Sequence, residues 1–511
     1  MSTPSVYTEE EARALDLWPL DEHNQRLLEQ VRPRDWQDPS PMTGPYDLVV
    51  IGAGAGGLVS AKQAARRGAK VAFISEHLAG GDCLNVGCVP SKALLRCARA
   101  IRDARRAAEF GAVLGGGGEV GVDFPRIMGR MRRLRAKIAP ADSHEGTAAS
   151  GAQVFQGRGR FVDAQTVSVN GALLPFHKAI IATGGRAAVP ELPGLASVGY
   201  LTNATLFNLT ALPASLCVLG GGAVGLEMAQ CFATFGSRVT VLLRGPALLH
   251  RGDARAGAAL TAALERDGVQ FVCNAQVSAV SQEGGASAAI RVSYGPLGAS
   301  TSVEYEQLLV ATGRVPNIDD LGLDEAGVTS EAGGVTIDEL LCTSNPCVFA
   351  VGDCVSSVPR LTHMAGEMAK IAVQNALFAD SWAFSAATVP QCTYTEPEHA
   401  SVGLDEVSAA AAGTAVDVYE SGLQHNDRVV LEGDDEDDAF VKILTARGTD
   451  RIVGCTIVAG RAGDIVAEVT LAMQAKVGLG AVARVIACYP TQGEGVMQAG
   501  LGFIRKHWQK M

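Results

Sequence analysis

The 511-residue chain has no apolar run near the roughly 18 residues a membrane span needs, so a transmembrane protein is not expected. Its first residues, Met1 to Glu11, are acidic and carry no apolar stretch, so neither a secretory signal nor an arginine-rich transit peptide is expected. Positive charge is in short supply. Lys and Arg number 43 against 54 Asp and Glu, and the net charge of −11 argues against bulk nucleic-acid binding. The twelve cysteines follow no disulfide framework, and no Cys/His spacing resembles a zinc site. A reducing cytoplasm and no bound structural metal are the expectations. What is plentiful is glycine, 59 residues, which suits tight turns and close backbone approach to phosphates. At 47% hydrophobic and 19% charged, the chain can bury a large core spread over three or four domains.

Two stretches use those glycines in the same way. Asp47 to Ile51 reads as a buried strand, followed by Gly52, Gly54 and Gly57 in G-x-G-x-x-G spacing, a helix to Arg67, a strand over Lys70 to Ile74, and Glu76. Such glycines let the turn close and seat a pyrophosphate on the helix N-terminus, while the acid accepts from a ribose hydroxyl. The second unit runs from Leu216 to Leu219, through Gly220, Gly222 and Gly225, and along a helix to Phe235. Its next strand, Arg238 to Leu243, ends at Arg244, a cation where an acid would prefer NAD. Arg244 therefore points to the 2′-phosphate of NADPH, with NADH as the alternative. Two βαβ units imply two dinucleotides or an internal duplication.

Between them lies Gly81-Asp82-Cys83-Leu84-Asn85-Val86-Gly87-Cys88-Val89-Pro90-Ser91-Lys92, where a glycine-containing loop becomes a helix. Pro90 suits a first helical turn. Cys88 then sits at the positive end of the helix dipole, where a thiolate is favoured. Cys83 lies across the loop. A pair so placed suits thiol–disulfide exchange, and two neighbouring core cysteines are the alternative.

The flanking residues resemble the redox-active segment of the class I pyridine nucleotide–disulfide oxidoreductases, which include glutathione reductase, dihydrolipoamide dehydrogenase and mercuric reductase. The resemblance covers about residues 46–511. It implies an α/β fold with two Rossmann-like dinucleotide-binding domains and a C-terminal α+β dimerisation domain, as in glutathione reductase. The implied division is an N-terminal extension at 1–45, FAD-binding parts at 46–200 and 316–385, an NAD(P)-binding domain at 201–315 and an interface domain at 386–511. FAD and NADPH are the implied cofactors, and a homodimer the implied assembly. Flavin contacts would come from Gly81, Lys92, Thr183, Gly184, Gly352, Asp353 and the helix start at His363. Gly313 would close the nucleotide domain, and Arg251 stands near a second arginine of NADP-linked members. Cys83 and Cys88 would form the redox pair, with Lys92 and Glu227 as an ion pair near the flavin.

Disulfide reductases of this family carry a histidine, oriented by a glutamate, where this chain has Tyr489 and Glu494. A phenol titrating near pH 10 is a poor base at neutral pH. Mercuric reductases also lack that histidine, so the resemblance favours their branch and a soft metal ion or another small acceptor as substrate. The alternatives are a disulfide reductase of the dihydrolipoamide dehydrogenase or glutathione reductase type, and a non-catalytic flavoprotein. Unlike mercuric reductases, the chain ends without a vicinal cysteine pair, and residues 1–45 hold no Cys-x-x-Cys. Cys488 is a candidate third thiol. Three further expectations concern structure. The extension forms short helices over Glu9 to Leu17 and Asp21 to Val31 and an arm packed on the domain surface. The six basic residues of Arg126 to Lys137 lie mostly off a stripe of Ile127, Met131, Leu134 and Ile138, on a solvated helix face, with phosphate binding as the alternative. The acidic run Glu432 to Asp438 is a solvated hairpin tip.

Overall fold

The computed structural model describes residues 6–113, 120–285, 288–295, 301–384, 388–434 and 438–507. Unbroken apolar runs make its central strands. β1 (Tyr46–Ile51) and β2 (Val71–Ser75) are buried almost throughout, as parallel strands covered on both faces must be. They pair in parallel, with β3 (Gln153–Gln156) outside β2. β4 (Arg160–Asp163), β5 (Thr166–Val169) and β6 (Ala172–Ile181) form an antiparallel meander, and β6 closes in parallel on β1. The chain then leaves and returns, adding Val348–Ala350 in parallel beside β6. α3 (Ala55–Arg66) and the helix Thr362–Leu377 pack against each other over this sheet.

The excursion builds a second parallel sheet in the order Val269–Val272, Arg238–Leu242, Ser215–Leu219, Gln307–Val310. A three-stranded antiparallel sheet, Val277–Gln282, Ile290–Tyr294 and Thr301–Tyr305, is attached to it. The C-terminal part is a five-stranded antiparallel sheet carrying the helices Ala462–Gln474 and Glu494–His507. The expected architecture, two Rossmann-like units and an α+β C-terminal domain, is the one found.

The extension is built into the body. α1 (Glu9–Ala14) starts in a capping box of Thr8 and Glu11, and α2 (Glu22–Val31) is capped by Asp21. Leu27, Leu28 and Val31 are fully buried with Leu78, Ala79, Leu84 and Ala136. Each contributes about 1.5–3 kcal/mol by leaving water. Farther on, Trp36 stacks on His144 at 5.2 Å and donates to the Val154 carbonyl at 3.0 Å.

Two expectations are corrected. On α6 (Phe124–Ile138), Ile138 is 45% exposed, whereas Arg135 is 0% and Arg132 8% exposed. The inward stripe therefore includes two arginines, because α2 supplies Asp21 and Asn24 as partners for them. The acidic run is not simply solvated either. Glu432 ends the helix Asp427–Glu432, Asp434 pairs with Arg106 at 3.2 Å, and Asp438 pairs with Arg255 at 2.6 Å. Asp435 to Asp437 lie outside the described residues.

Candidate active site

The two glycine motifs fold alike. Gly52 has φ +113°, and a Cβ there would lie 2.3 Å from the Ala182 carbonyl oxygen. Gly220 has φ +107°, and its Cβ would lie 2.5 Å from that of Ala311. A Cβ on Gly57 would sit 1.8 Å from the Gly52 oxygen, and one on Gly225 2.4 Å from the Gly220 oxygen. Only glycine lets the turn fold back on its own helix so closely. The middle glycines differ. Nothing lies within 4 Å of a Cβ at Gly222, and Gly54 has only the Gly81 Cα at 3.9 Å. Each motif thus leaves open space at a helix N-terminus, as a dinucleotide pyrophosphate requires. Glu76 follows β2, and its carboxylate receives Arg158 at 2.9 Å. Arg244 and Arg251 are exposed and make no hydrogen bond or ion pair among the described residues.

The turns after the two sheets are tied together. Gly185–Ala187 pairs antiparallel with Arg314–Pro316, the strand that follows Gly313. The Thr183 hydroxyl donates to the Asn317 carbonyl at 2.6 Å, and Asn317 N donates to Gly184 at 2.9 Å. Arg314 itself went unassigned in the sequence. It reaches Asp353 at 3.0 Å and Asp82 at 2.5 Å, linking the Gly352-Asp353 turn to the residue beside Cys83.

Cys83 sits within α4 (Gly81–Asn85), so the expected loop is itself a short helix. Cys88 is the first residue of α5 (Cys88–Arg106), as anticipated. Interaction with the Cys83 thiol lowers the Cys88 pKa to about 6, helped by Thr362 and Lys92, while Cys88 and burial both raise the pKa of Cys83. Cys88 Sγ shares a 3.3 Å hydrogen bond with Thr362 Oγ1. Lys92 Nζ, one turn along α5, meets the buried Glu227 at 2.7 and 2.9 Å and stands 4.5 Å over the Tyr394 ring. Tyr394 N donates to Glu227 at 3.1 Å. Nothing in the sequence marks Thr362 or Tyr394 as part of the site, although Thr362 directly precedes His363. His363 turns away, its ring sharing a 2.9 Å hydrogen bond with the Pro390 carbonyl.

Tyr489 and Glu494 are elsewhere in the chain's C-terminal part. Tyr489 is 70% exposed, and its phenol donates to Asp427, which holds its pKa above the ordinary value. Glu494 opens the last helix and accepts from Thr491 N at 3.3 Å. Among the described residues, neither hydrogen-bonds to Cys83 or Cys88. Cys488, its neighbour, is exposed and unpaired with another sulfur.

Residues 46–369 match the model of the pyridine nucleotide–disulphide oxidoreductases, and 389–499 that of their dimerisation domain. The chain belongs to this family. It is an FAD- and NAD(P)H-dependent oxidoreductase carrying the family's dimerisation domain. Among its relatives, a mercuric reductase of Streptomyces lividans is 34% identical over 464 residues, 90% of this chain and 96% of that one. A dihydrolipoyl dehydrogenase of Bacillus subtilis is 32% identical over 476 residues, 90% of this chain and 98% of its own. Among solved structures, LpdA from Mycobacterium tuberculosis superposes with a TM-score of 0.80 at 26% identity, covering 89% of this chain and 99% of that chain. The fold is also that of the HOCl-induced flavoprotein disulfide reductase RclA of Escherichia coli, with a TM-score of 0.77. No described helix is long and apolar enough to cross a membrane.

Proposed function

We propose that the chain is a homodimeric, cytoplasmic, NADPH-dependent enzyme whose Cys83–Cys88 pair delivers electrons to a soft metal ion or another small acceptor that needs no acid catalyst. The observation that carries this is a thiolate-poised Cys88 beside a second thiol, in a chain that has Tyr489 where the disulfide reductases of the family carry their histidine. The pyrophosphate of FAD would rest at Gly52, Gly54 and Gly57, with Glu76 and Asp353 on its ribose and ribityl hydroxyls. That of NADPH would rest at Gly220, Gly222 and Gly225, with Arg244 and Arg251 for the 2′-phosphate. Bound FAD supplies the two-electron relay between the nicotinamide and the sulfurs.

The disulfide form takes up two electrons and one proton, breaking the S–S bond to give the Cys88 thiolate and the Cys83 thiol. Lys92 and the α5 N-terminus stabilise that thiolate, and Cys83 keeps the proton. A soft metal ion binds thiolate sulfur directly and displaces that proton, so the step asks for ligands rather than a proton shuttle. Tyr489, locked to Asp427 with a raised pKa, is a poor base. The mercuric reductases among the relatives support this reading.

An acceptor panel tests it, scored as NADPH oxidation with mercuric and cupric ions, quinones, oxidised glutathione and lipoamide. Metal ions or quinones should turn over at least about tenfold faster than either disulfide. Lipoamide or glutathione as the preferred acceptor would place the chain with the disulfide reductases instead.

A further inference from the structure

The family match begins at residue 46, yet residues before it touch the segment that carries the cysteines. Asn24, on α2, is fully buried and accepts from Arg135 Nη2 at 2.7 Å. Arg135 Nη1 donates to the Asn85 carbonyl at 2.5 Å. The Asn85 side chain donates to the carbonyls of Ala79 and Gly81, both at 2.9 Å. Ala79 N in turn donates to the Val31 carbonyl at 2.9 Å, back on α2. These bonds close a ring, α2 to Arg135 to Asn85 to Ala79 to α2, and α4 with Cys83 is the stretch of chain that runs from just after Ala79 to Asn85.

The segment needs such support. α4 has five residues, too few to hold a helix alone, and it follows Gly80 and Gly81, both at positive φ. Leu84, next to Cys83, is buried against the extension's core. Arg135 is fully buried and has no carboxylate partner among the described residues, and burial lowers its pKa only to about 10, so it keeps its donors at neutral pH. Its Nε has no hydrogen-bond partner among the described residues. Losing Asn24 would strand a second donor of a buried cation, which would then turn away from Asn85.

We infer that the N-terminal extension positions the redox segment, with Asn24 and Arg135 as the positioning residues that fix where Cys83 stands relative to Cys88. This rests on the reading of those cysteines as the redox pair. The extension is thereby a part of the active site's framework that the catalytic domains alone do not supply.

The test uses full-length, flavin-loaded protein. Wild type is read first. If one equivalent of NADPH raises no long-wavelength thiolate–flavin absorbance, the redox assignment itself fails, whatever the variants do. Given that band, Asn24→Ala should keep its flavin and be reduced by NADPH at the wild-type rate. Its Cys83 should be alkylated by iodoacetamide about tenfold faster after reduction, as a loosened segment exposes it. The pH midpoint of its band should rise by about half a unit as the thiol–thiolate bond weakens. Asn24→Asp, which offers Arg135 a carboxylate but gives up the Asn24 amide's 2.8 Å donation to the Pro19 carbonyl, should stay within about twofold of wild type in alkylation, because the Arg135 bond is the one that positions the segment. Leu17→Ala, a cavity in the same extension, should lower the melting temperature and leave the band and the alkylation rate unchanged. If Asn24→Ala does not fold, Asn24→Ser takes its place. Wild-type alkylation and midpoint in the Asn24 variant would overturn the inference. So would equal changes in Leu17→Ala, which would make the effect general loosening.

Discussion

Cys88 takes its character from three neighbours: the Cys83 thiol, Thr362 and Lys92. Because its folded pKa is lowered to about 6, the thiolate persists above that pH and is lost as pH falls through it. The long-wavelength absorbance of reduced enzyme should therefore bleach with a midpoint near pH 6, followed by anaerobic titration. A midpoint near 9 would mean that the neighbours do not act on Cys88. Glu398 shifts the other way, held up to about 7 by burial. A carboxyl raised on folding favours the fold at low pH, and that contribution is lost as pH rises through about 7. Glu398→Gln should consequently stabilise the protein by about 1 kcal/mol at pH 8 and by nothing at pH 4, read by thermal unfolding. For coenzyme choice, Arg244→Ala and Arg251→Ala should each raise the KM for NADPH about tenfold and leave that for NADH unchanged, by steady-state kinetics.

The two βαβ units were legible because their information is local: a strand, three glycines and a helix within a few turns of chain. Gly57 and Gly225 show how strict that information is, since each faces the carbonyl of its own turn's first glycine. Gly57→Ala should give protein purified with little flavin, whereas Gly225→Ala should retain flavin and lose NADPH-dependent reduction, checked by absorbance spectra. The Lys92–Glu227 pair was read through family motif positions and is found as a 2.7 Å contact. Arg314 was not read, since its partners Asp82 and Asp353 come from distant segments. The same holds for α6. Helical periodicity placed its arginines outward, and α2, from the N-terminal extension, makes room for Arg135 inside. Thr362 escaped notice because its role depends on a contact with Cys88 across 274 positions.

At the scale of the molecule, the second nucleotide unit and the C-terminal sheet are joined by one buried cation. Lys442 is 5% exposed and meets Asp253 at 2.8 Å, Glu406 at 2.9 Å and Glu420 at 3.1 Å. Asp253 also caps the helix Ala254–Arg266, just past Arg251. Lys442→Met should strand a buried carboxylate and cost about 3 kcal/mol or more, seen as a lower melting temperature. On the function proposed above, the arrangement brings a nicotinamide, a flavin and two sulfurs into series. Anaerobic titration with NADPH tests this most directly. Wild type should develop a long-wavelength band after one equivalent, and Cys88→Ser should reduce its flavin without that band. A wild type lacking it, or a Cys88→Ser variant retaining it, would contradict the account.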